Sequence, residues 1–526
     1  MARKLTLLTA VLMFMAIGLA PVVSMFVKTL FVNGQFTLKN YGLLFQSKRE
    51  WMLLYNSLSL ASATTAATVL PGVPLGLLLT KTDLPLKRIF TMLFLVPLII
   101  PPYILAIAWF HCLGRSGIAA NILGPEIGIH ASPLLFGFPG ALLVMASTLL
   151  PVVIILTMTY LRMVNPRLEE AARLSASWPV VFRRISLPVI RPGILLAGLM
   201  VFILTLGEFG APSFLRFEVF PVESFTRFSA FYDFDSATAA AMPLGAIVLI
   251  VLTAERIFLR KKTFQFAPAG GPLAIAPLGK TKPFFLTMVS LLAIIFVLVP
   301  LGVLLFKSSS PWAYREALAR SKDSILRSLT YASLGATGIV VFGFFLGYLL
   351  ERRVFRFFYA VDSMLLFLFA LPGAVIGIGL IHLWNTPATN FVYASTAIIM
   401  FGYIAQYTAL GERIMAAQFS RIPNSMEEAA RIAGAGWFRR LFYVLVPMAK
   451  RGMAAAWLVG FIFCLRDLGI AMTVYPPGHD TLPVRIFTLM ANGPEEVVAA
   501  SCVILAAIAL LPLGALMAAA RYIRWP

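Results

Sequence analysis

Of the chain's 526 residues, 60% are hydrophobic and 12% charged, and the mean hydropathy is +0.89. That excludes a soluble globular protein, in which about a quarter of residues carry charge. The net charge of +21 does not point to nucleic acid, because the Lys and Arg residues cluster in alternate loops between apolar blocks.

Those blocks run to about 20 residues or more, the length that crosses a bilayer as a helix. Arg3-Lys4 and the apolar run behind them look like a signal peptide, but the run extends from about Leu5 to Val32. That is too long for a signal core, so a retained first span is expected. In chain order the first half reads as spans at roughly 5–30, 54–80, 89–110, 133–160, 193–215 and 239–259. The second half reads as spans at roughly 284–307, 327–350, 358–384, 392–412, 453–475 and 497–520. The expected fold is all-α and polytopic, with about 12 transmembrane helices. Arg3 and Lys4, Lys81, Lys87 and Arg88, the arginines between 162 and 191, and Arg521 and Arg524 all fall on one side if each span is crossed once. By the positive-inside rule that side is the cytoplasm and holds both termini. Cys112, Cys464 and Cys502 show no paired spacing and imply neither a disulfide framework nor a metal site.

The halves correspond. Glu169-Glu170-Ala171-Ala172-Arg173, followed by Ala176, Trp178 and Leu187-Pro188, returns as Glu427-Glu428-Ala429-Ala430-Arg431, followed by Gly434, Trp437 and Val446-Pro447. Lys87-Arg88-Ile89-Phe90 answers to Arg352-Arg353-Val354-Phe355, and Gly207-Glu208-Phe209-Gly210 to Arg466-Asp467-Leu468-Gly469. With an even number of spans in each half, the repeats are parallel, related by an axis along the membrane normal. The expected organisation is a first repeat at 1–259, a flexible linker at 260–283 containing Ala267-Pro268-Ala269-Gly270-Gly271-Pro272, and a second repeat at 284–526. Each polar island reads as a short helix. Asn165 caps the first with Pro166 at its first position, and Ser425-x-x-Glu428 forms a capping box at the second.

Both islands resemble the EAA motif of the permeases of binding-protein-dependent ABC importers: Glu-Ala-Ala, three residues, Gly, nine residues, an aliphatic residue, any residue, Leu-Pro. The second copy follows it at Glu428, Ala429, Ala430, Gly434, Val444 and Pro447, with Val446 in place of Leu. The first has Ala176 at the glycine position and is one residue shorter before Leu187-Pro188. Two such halves on one chain resemble the fused permeases of ferric-iron and thiamine importers. The resemblance implies a MetI-like type I importer fold in a bacterial inner membrane, and no catalysis by this chain. It also implies docking of Glu169–Arg173 and Glu427–Arg431 on two copies of a cytoplasmic ATPase, which would bind ATP and Mg. An extracytoplasmic binding protein would deliver the substrate. Ferric iron is the expected substrate, with thiamine, polyamine or organophosphonate as alternatives and a stand-alone secondary transporter as the rival class.

Three ionisable residues, Glu208, Arg466 and Asp467, read as lying inside spans, where charge is costly. They line a pathway or form a structural ion pair. Pro97, Pro101, Pro102 and Pro372 break or kink the third and ninth spans and form a gate, or are ordinary membrane prolines. Gly279-Lys280-Thr281 lacks the earlier glycine and the strand of a phosphate-binding loop, so no cofactor is expected on this chain. His111, His130, His382 and His479 are scattered, and no metal site is expected.

Overall fold

A computed structural model describes residues 1–32, 35–37, 42, 46–231, 233–259 and 273–522. In the first half α1 (Ala2–Lys28) is followed by a small hairpin, β1 (Phe31–Val32) with β2 (Gln35–Phe36), and by α2 (Lys48–Lys81). Then come α3 (Lys87–Ile99), α4 (Pro102–Leu113), α5 (Ile118–Leu123), α6 (Pro125–Leu135) and α7 (Phe138–Met163). The island is α8 (Pro166–Arg173), after which α9 (Trp178–Leu206), α10 (Gly210–Phe214), α11 (Phe220–Ser229) and α12 (Phe234–Leu259) complete the half.

The second half opens with α13 (Gly279–Lys307), α14 (Pro311–Glu351), α15 (Phe358–Ala370), α16 (Gly373–Trp384) and α17 (Asn390–Tyr393). It continues through α18 (Ala397–Phe419), the second island α19 (Asn424–Ile432) and α20 (Trp437–Arg466). The last helices are α21 (Gly469–Val474), α22 (Leu482–Asn492) and α23 (Glu495–Tyr522).

Among the described residues, 10 helices are long and apolar enough to span a membrane, or 11 if the bent pair α15–α16 is one span. The expected tenth span is α18; its Gln406, Glu412 and Arg413 dilute its hydropathy. The third and ninth spans are broken rather than continuous. Ile100 and Leu371 are extended (ψ 136 and 144), each followed by an extended proline, Pro101 or Pro372, and the second break turns the chain through 108°. Proline forces this, because it lacks the N–H that would continue the ladder and disfavours α geometry in the residue before it.

Each half packs around three long helices, α2 with α7 and α9, and α14 with α18 and α20. Close approach rests on small residues. Gly72 and Gly76 face α7, and a Cβ added to Gly76 would lie 2.8 Å from the Thr157 Cβ. Gly343 and Gly347, 271 positions later, face α18, and a Cβ on Gly347 would lie 2.9 Å from Ala416 N. Glycines four residues apart put a flat stripe on a helix, the device by which membrane helices gain packing where lipid gives no hydrophobic drive. The correspondence reaches single hydrogen bonds: Phe220 N donates to Ser57 Oγ (3.0 Å), and Leu482 N to Ser328 Oγ (2.6 Å). The first helix of each half packs on the other half, α1 against α14, α16 and α18, and α13 against α3 and α4.

Residues 260–272 of the expected linker, including its Pro/Gly-rich stretch, lie outside the described residues. The part after them is not a loose tether. Ala276 pairs with Thr82 as a parallel bridge, its N–H donating to Lys81 O (2.7 Å). Leu278 N and Lys282 Nζ bond the two oxygens of Asp83 at 2.8 and 2.6 Å. Helix α13 begins within the expected linker, at Gly279.

Candidate functional site

The islands form as short helices. Asn165 Oδ1 accepts from Arg167 N (3.0 Å), and Pro166 takes the first helical position, as the sequence predicts. The capping box of the second island does not form: α19 begins one residue before Ser425, with Pro423 at the N-cap and no side-chain cap bond. Pro423 sets the extended entry by itself, which leaves Ser425 inside the first turn.

The paired glutamates have opposite environments. Glu169 is fully buried, its Oε2 2.6 Å from Lys81 Nζ and its Oε1 accepting from Ser186 Oγ (2.7 Å). Glu427 is also buried, accepting from Tyr348 OH (2.8 Å) with Arg352 Nε 3.5 Å away. Both carboxylates are turned inward, onto partners within the chain. Each ties its island to the last turn of the second long helix of its own half, α2 or α14. A buried charge is tolerable only with such a partner. Glu170 and Glu428 face solvent, with Ala171, Arg173, Ala429 and Arg431; Ala172 and Ala430 are half-buried. Beside them stand exposed apolar residues at matching positions, Leu168 on α8 with Leu174 just past its end, and Met426 and Ile432 on α19.

The turns after the islands differ. After α19, Ala435 N donates to Ala430 O (2.9 Å) and Gly434 N to Arg431 O (3.0 Å), with Gly434 at φ +81. This is a Schellman ending, which needs a left-handed residue. After α8 no residue goes left-handed; instead Arg173 donates to Ala176 O (2.6 Å) and lies 5.2 Å from the Trp178 ring centroid. The missing glycine is replaced by a side-chain bond.

Deep between the halves, the breaks meet at a cavity of about 100 Å³ that includes Glu208, Arg466, Asp467, Tyr103 and Tyr407. Glu208 and Asp467 do not lie mid-helix. They follow the ends of α9 and α20 and cap the short helices α10 and α21. Gly210 N donates to Glu208 Oε1 (3.1 Å), while Ile470 N and Ala471 N donate to Asp467 Oδ1 (3.1 Å each). Tyr407 OH donates to Asp467 Oδ2 (2.7 Å). Arg466, where the first half has Gly207, crosses to the other repeat and donates to Leu98 O at the break of the third span. At the other break the freed Leu371 carbonyl accepts from Gln406 Nε2 (3.1 Å). Of the four expected prolines, Pro101 and Pro372 stand at the breaks, Pro102 starts α4 and has no N–H to give the Leu98 carbonyl, and Pro97 lies inside α3.

Sequence reasoning missed Lys81, Ser186, Tyr348 and Arg352 as anchors, Tyr407 and Gln406 at the cavity, and the exposed apolar residues of the islands. One signal was available: Lys81 and Arg352 lie 271 residues apart, the spacing of Pro101 and Pro372. As loop charges, they hid behind the positive-inside rule.

Residues 72–263 and 339–523 each match the family of binding-protein-dependent transport system inner membrane components. The chain belongs to that family. It is 23% identical over 467 residues to the putative ferric transport system permease protein FbpB 1 of Haemophilus influenzae, covering 83% of this chain and 72% of that one. It is 23% identical over 449 residues to the Fe(3+)-transport system permease protein FbpB 2 of the same organism, covering 83% of each. A shorter similarity, 34% over 158 residues, links it to the molybdenum transport system permease protein ModB of Mycobacterium tuberculosis, with 30% of this chain and 58% of that one covered. As a member of this family the chain is a multi-pass inner-membrane permease, a transport subunit and not itself an enzyme.

Proposed function

We propose that this chain is the whole transmembrane pathway of an ABC importer for ferric iron. In this reading residues 1–259 and 284–526 are parallel repeats joined by the linker 260–283, with both termini in the cytoplasm. The islands α8 and α19 are coupling helices, each docking on one of two copies of a cytoplasmic ATPase that holds ATP and Mg. An extracytoplasmic binding protein meets the opposite end. The iron assignment draws support from relatives named as ferric transport permeases.

The observation that carries the reading is the twofold division of labour within each Glu-Glu pair. The first glutamate is buried against α2 or α14, and the second stands exposed with apolar neighbours. A lever needs both halves, a rigid root and a gripping face. Glu170 and Arg173 with Leu168 and Leu174, and Glu428 and Arg431 with Met426 and Ile432, make the gripping faces. Closure of the ATPase pair would push both helices, and through Lys81, Tyr348 and Arg352 the push reaches α2 and α14. Those helices pack on α9 and α20, whose far ends carry Glu208 and Arg466-Asp467. The breaks at Pro101 and Pro372 are the hinges that open and close the cavity between them.

The test is co-purification with the ATPase after Glu170→Lys and Glu428→Lys together. Loss of transport-linked ATP hydrolysis, with the chain still folded and in the membrane, is expected. Hydrolysis that stays coupled to substrate would remove the docking role. Uptake of labelled ferric iron by the complete complex, against thiamine, putrescine and an aminophosphonate, tests the substrate.

A further inference from the structure

Between α19 and the body of the bundle lies a second cavity, of about 200 Å³, apart from the central pathway; Glu428 and Arg431 of the proposed docking face also line it. It opens at the roots of four elements, with Arg3 from α1, Arg352 just past α14, Arg431 from α19 and Arg440 from α20. Four guanidinium groups there meet two carboxylates, Glu427 and Glu428, a surplus of two positive charges. Glu427 is occupied by Tyr348 and Arg352. Arg440 keeps a buried Nε with no hydrogen-bond acceptor, whereas Arg352 donates through Nη2 to Ile422 O (2.8 Å) and holds its Nε 3.5 Å from Glu427 Oε1. Among the described residues, the side chains of Arg431 and Arg440 have no ion-pair or hydrogen-bond partner; Arg440 lies 5.9 Å from the Trp437 ring centroid.

The first half does not repeat this arrangement. There Lys81 is spent on Glu169, and Arg173 on the carbonyl of Ala176. Val181, buried, stands in the first turn of α9 where Arg440 stands in α20. Convergent arginines with free N–H groups match the oxygens of a tetrahedral anion, since each planar fork offers paired donors. With about 30 Å³ to a water molecule, the cavity has room for one such anion and some waters.

We propose that this cavity binds one phosphate group, carried by the headgroup of an anionic phospholipid or as free inorganic phosphate. Bound there, it bridges α1 of one repeat to α14, α19 and α20 of the other and supplies acceptors to Arg431 and Arg440. The binding does not depend on the docking role of α19.

The experiment uses the purified full-length chain. Its thermal unfolding is followed in detergent against inorganic phosphate at constant ionic strength, and in nanodiscs of phosphatidylcholine with and without phosphatidylglycerol. Saturable stabilisation is expected in at least one arm, and the arm that shows it names the source. The variant Arg431→Gln/Arg440→Gln should require about tenfold more ligand, as losing charge-assisted bonds implies. Arg173→Gln, at the matching position of the first island, should bind like the unaltered chain. Should the double variant fold poorly, Arg440→Lys, which keeps the charge and loses the fork, should show a smaller weakening. No stabilisation in either arm, or equal stabilisation of the unaltered chain and the arginine variants, overturns the proposal.

Discussion

Replacing Lys81 with methionine keeps much of the side chain's volume and removes the cation that pairs with Glu169. Among the described residues, the carboxylate then stays buried with Ser186 as its side-chain donor. Breaking a buried pair from one side costs about 3–5 kcal/mol, because the remaining charge is desolvated without compensation. Lys81→Met combined with Glu169→Leu removes both charges and should cost only about 1 kcal/mol, the lost hydrogen bond of Ser186. Glu170→Gln, on the exposed side of the same helix, should stay within about 0.5 kcal/mol. Denaturant unfolding of the purified chain measures all three, and transport-linked ATP hydrolysis shows whether the loosened root uncouples α8. The reasoning fails if Lys81→Met costs no more than Glu170→Gln, or if the double variant is no more stable than Lys81→Met alone.

Gly434→Val places a β-branched residue at φ +81 and should cost about 1–2 kcal/mol from backbone strain alone, since a Cβ there meets nothing within 4 Å. Ala176→Val, at a turn closed by Arg173, should be nearly neutral; comparing the two for coupled ATP hydrolysis tests whether the islands use different turns. Gly347→Leu drives a side chain into the backbone of α18 and should destabilise by about 1–3 kcal/mol or more, whereas Gly302→Leu, with open space around it, should not; unfolding midpoints decide. Asp83 predicts a pH effect on the linker. The hydrogen bond from Lys282, with that from Leu278 N, holds its carboxyl below the usual 3.8. A carboxylate with a depressed value stabilises above its unfolded value and loses that contribution as pH falls through the folded one. Protection of residues 273–278 against hydrogen exchange should therefore be constant at neutral pH and fall in acid below 3.8. Asp83→Asn should show weak protection at every pH.

The pattern of apolar blocks was enough to establish a polytopic helical protein, because a bilayer demands long apolar helices whatever their partners. Duplication of the islands was equally legible, since Glu-Glu-Ala-Ala-Arg is local and survives as a string. The prolines of the third and ninth spans pointed to interruptions, because what proline forbids is fixed by its own ring. What a string cannot carry is direction. Glu169 and Glu170 are adjacent and chemically alike, yet a helix turns about 100° between them, and only the packing of α8 against α2 decides which faces Lys81. Arg466 read as a pathway residue or as one half of an ion pair, and the string could not show that it reaches across the repeat interface to the carbonyl of Leu98, which Pro102 leaves without its helical donor. The linker's docked end was illegible for a like reason: Ala276 and Leu278 carry no signal, and their hold on Lys81 and Asp83 exists only once α13 packs on the other half. Local chemistry therefore set the spans, their breaks and the islands. Tertiary structure chose which charge is a root, which is a face and which is free, because burial and pairing are properties of neighbours that lie far apart in the chain.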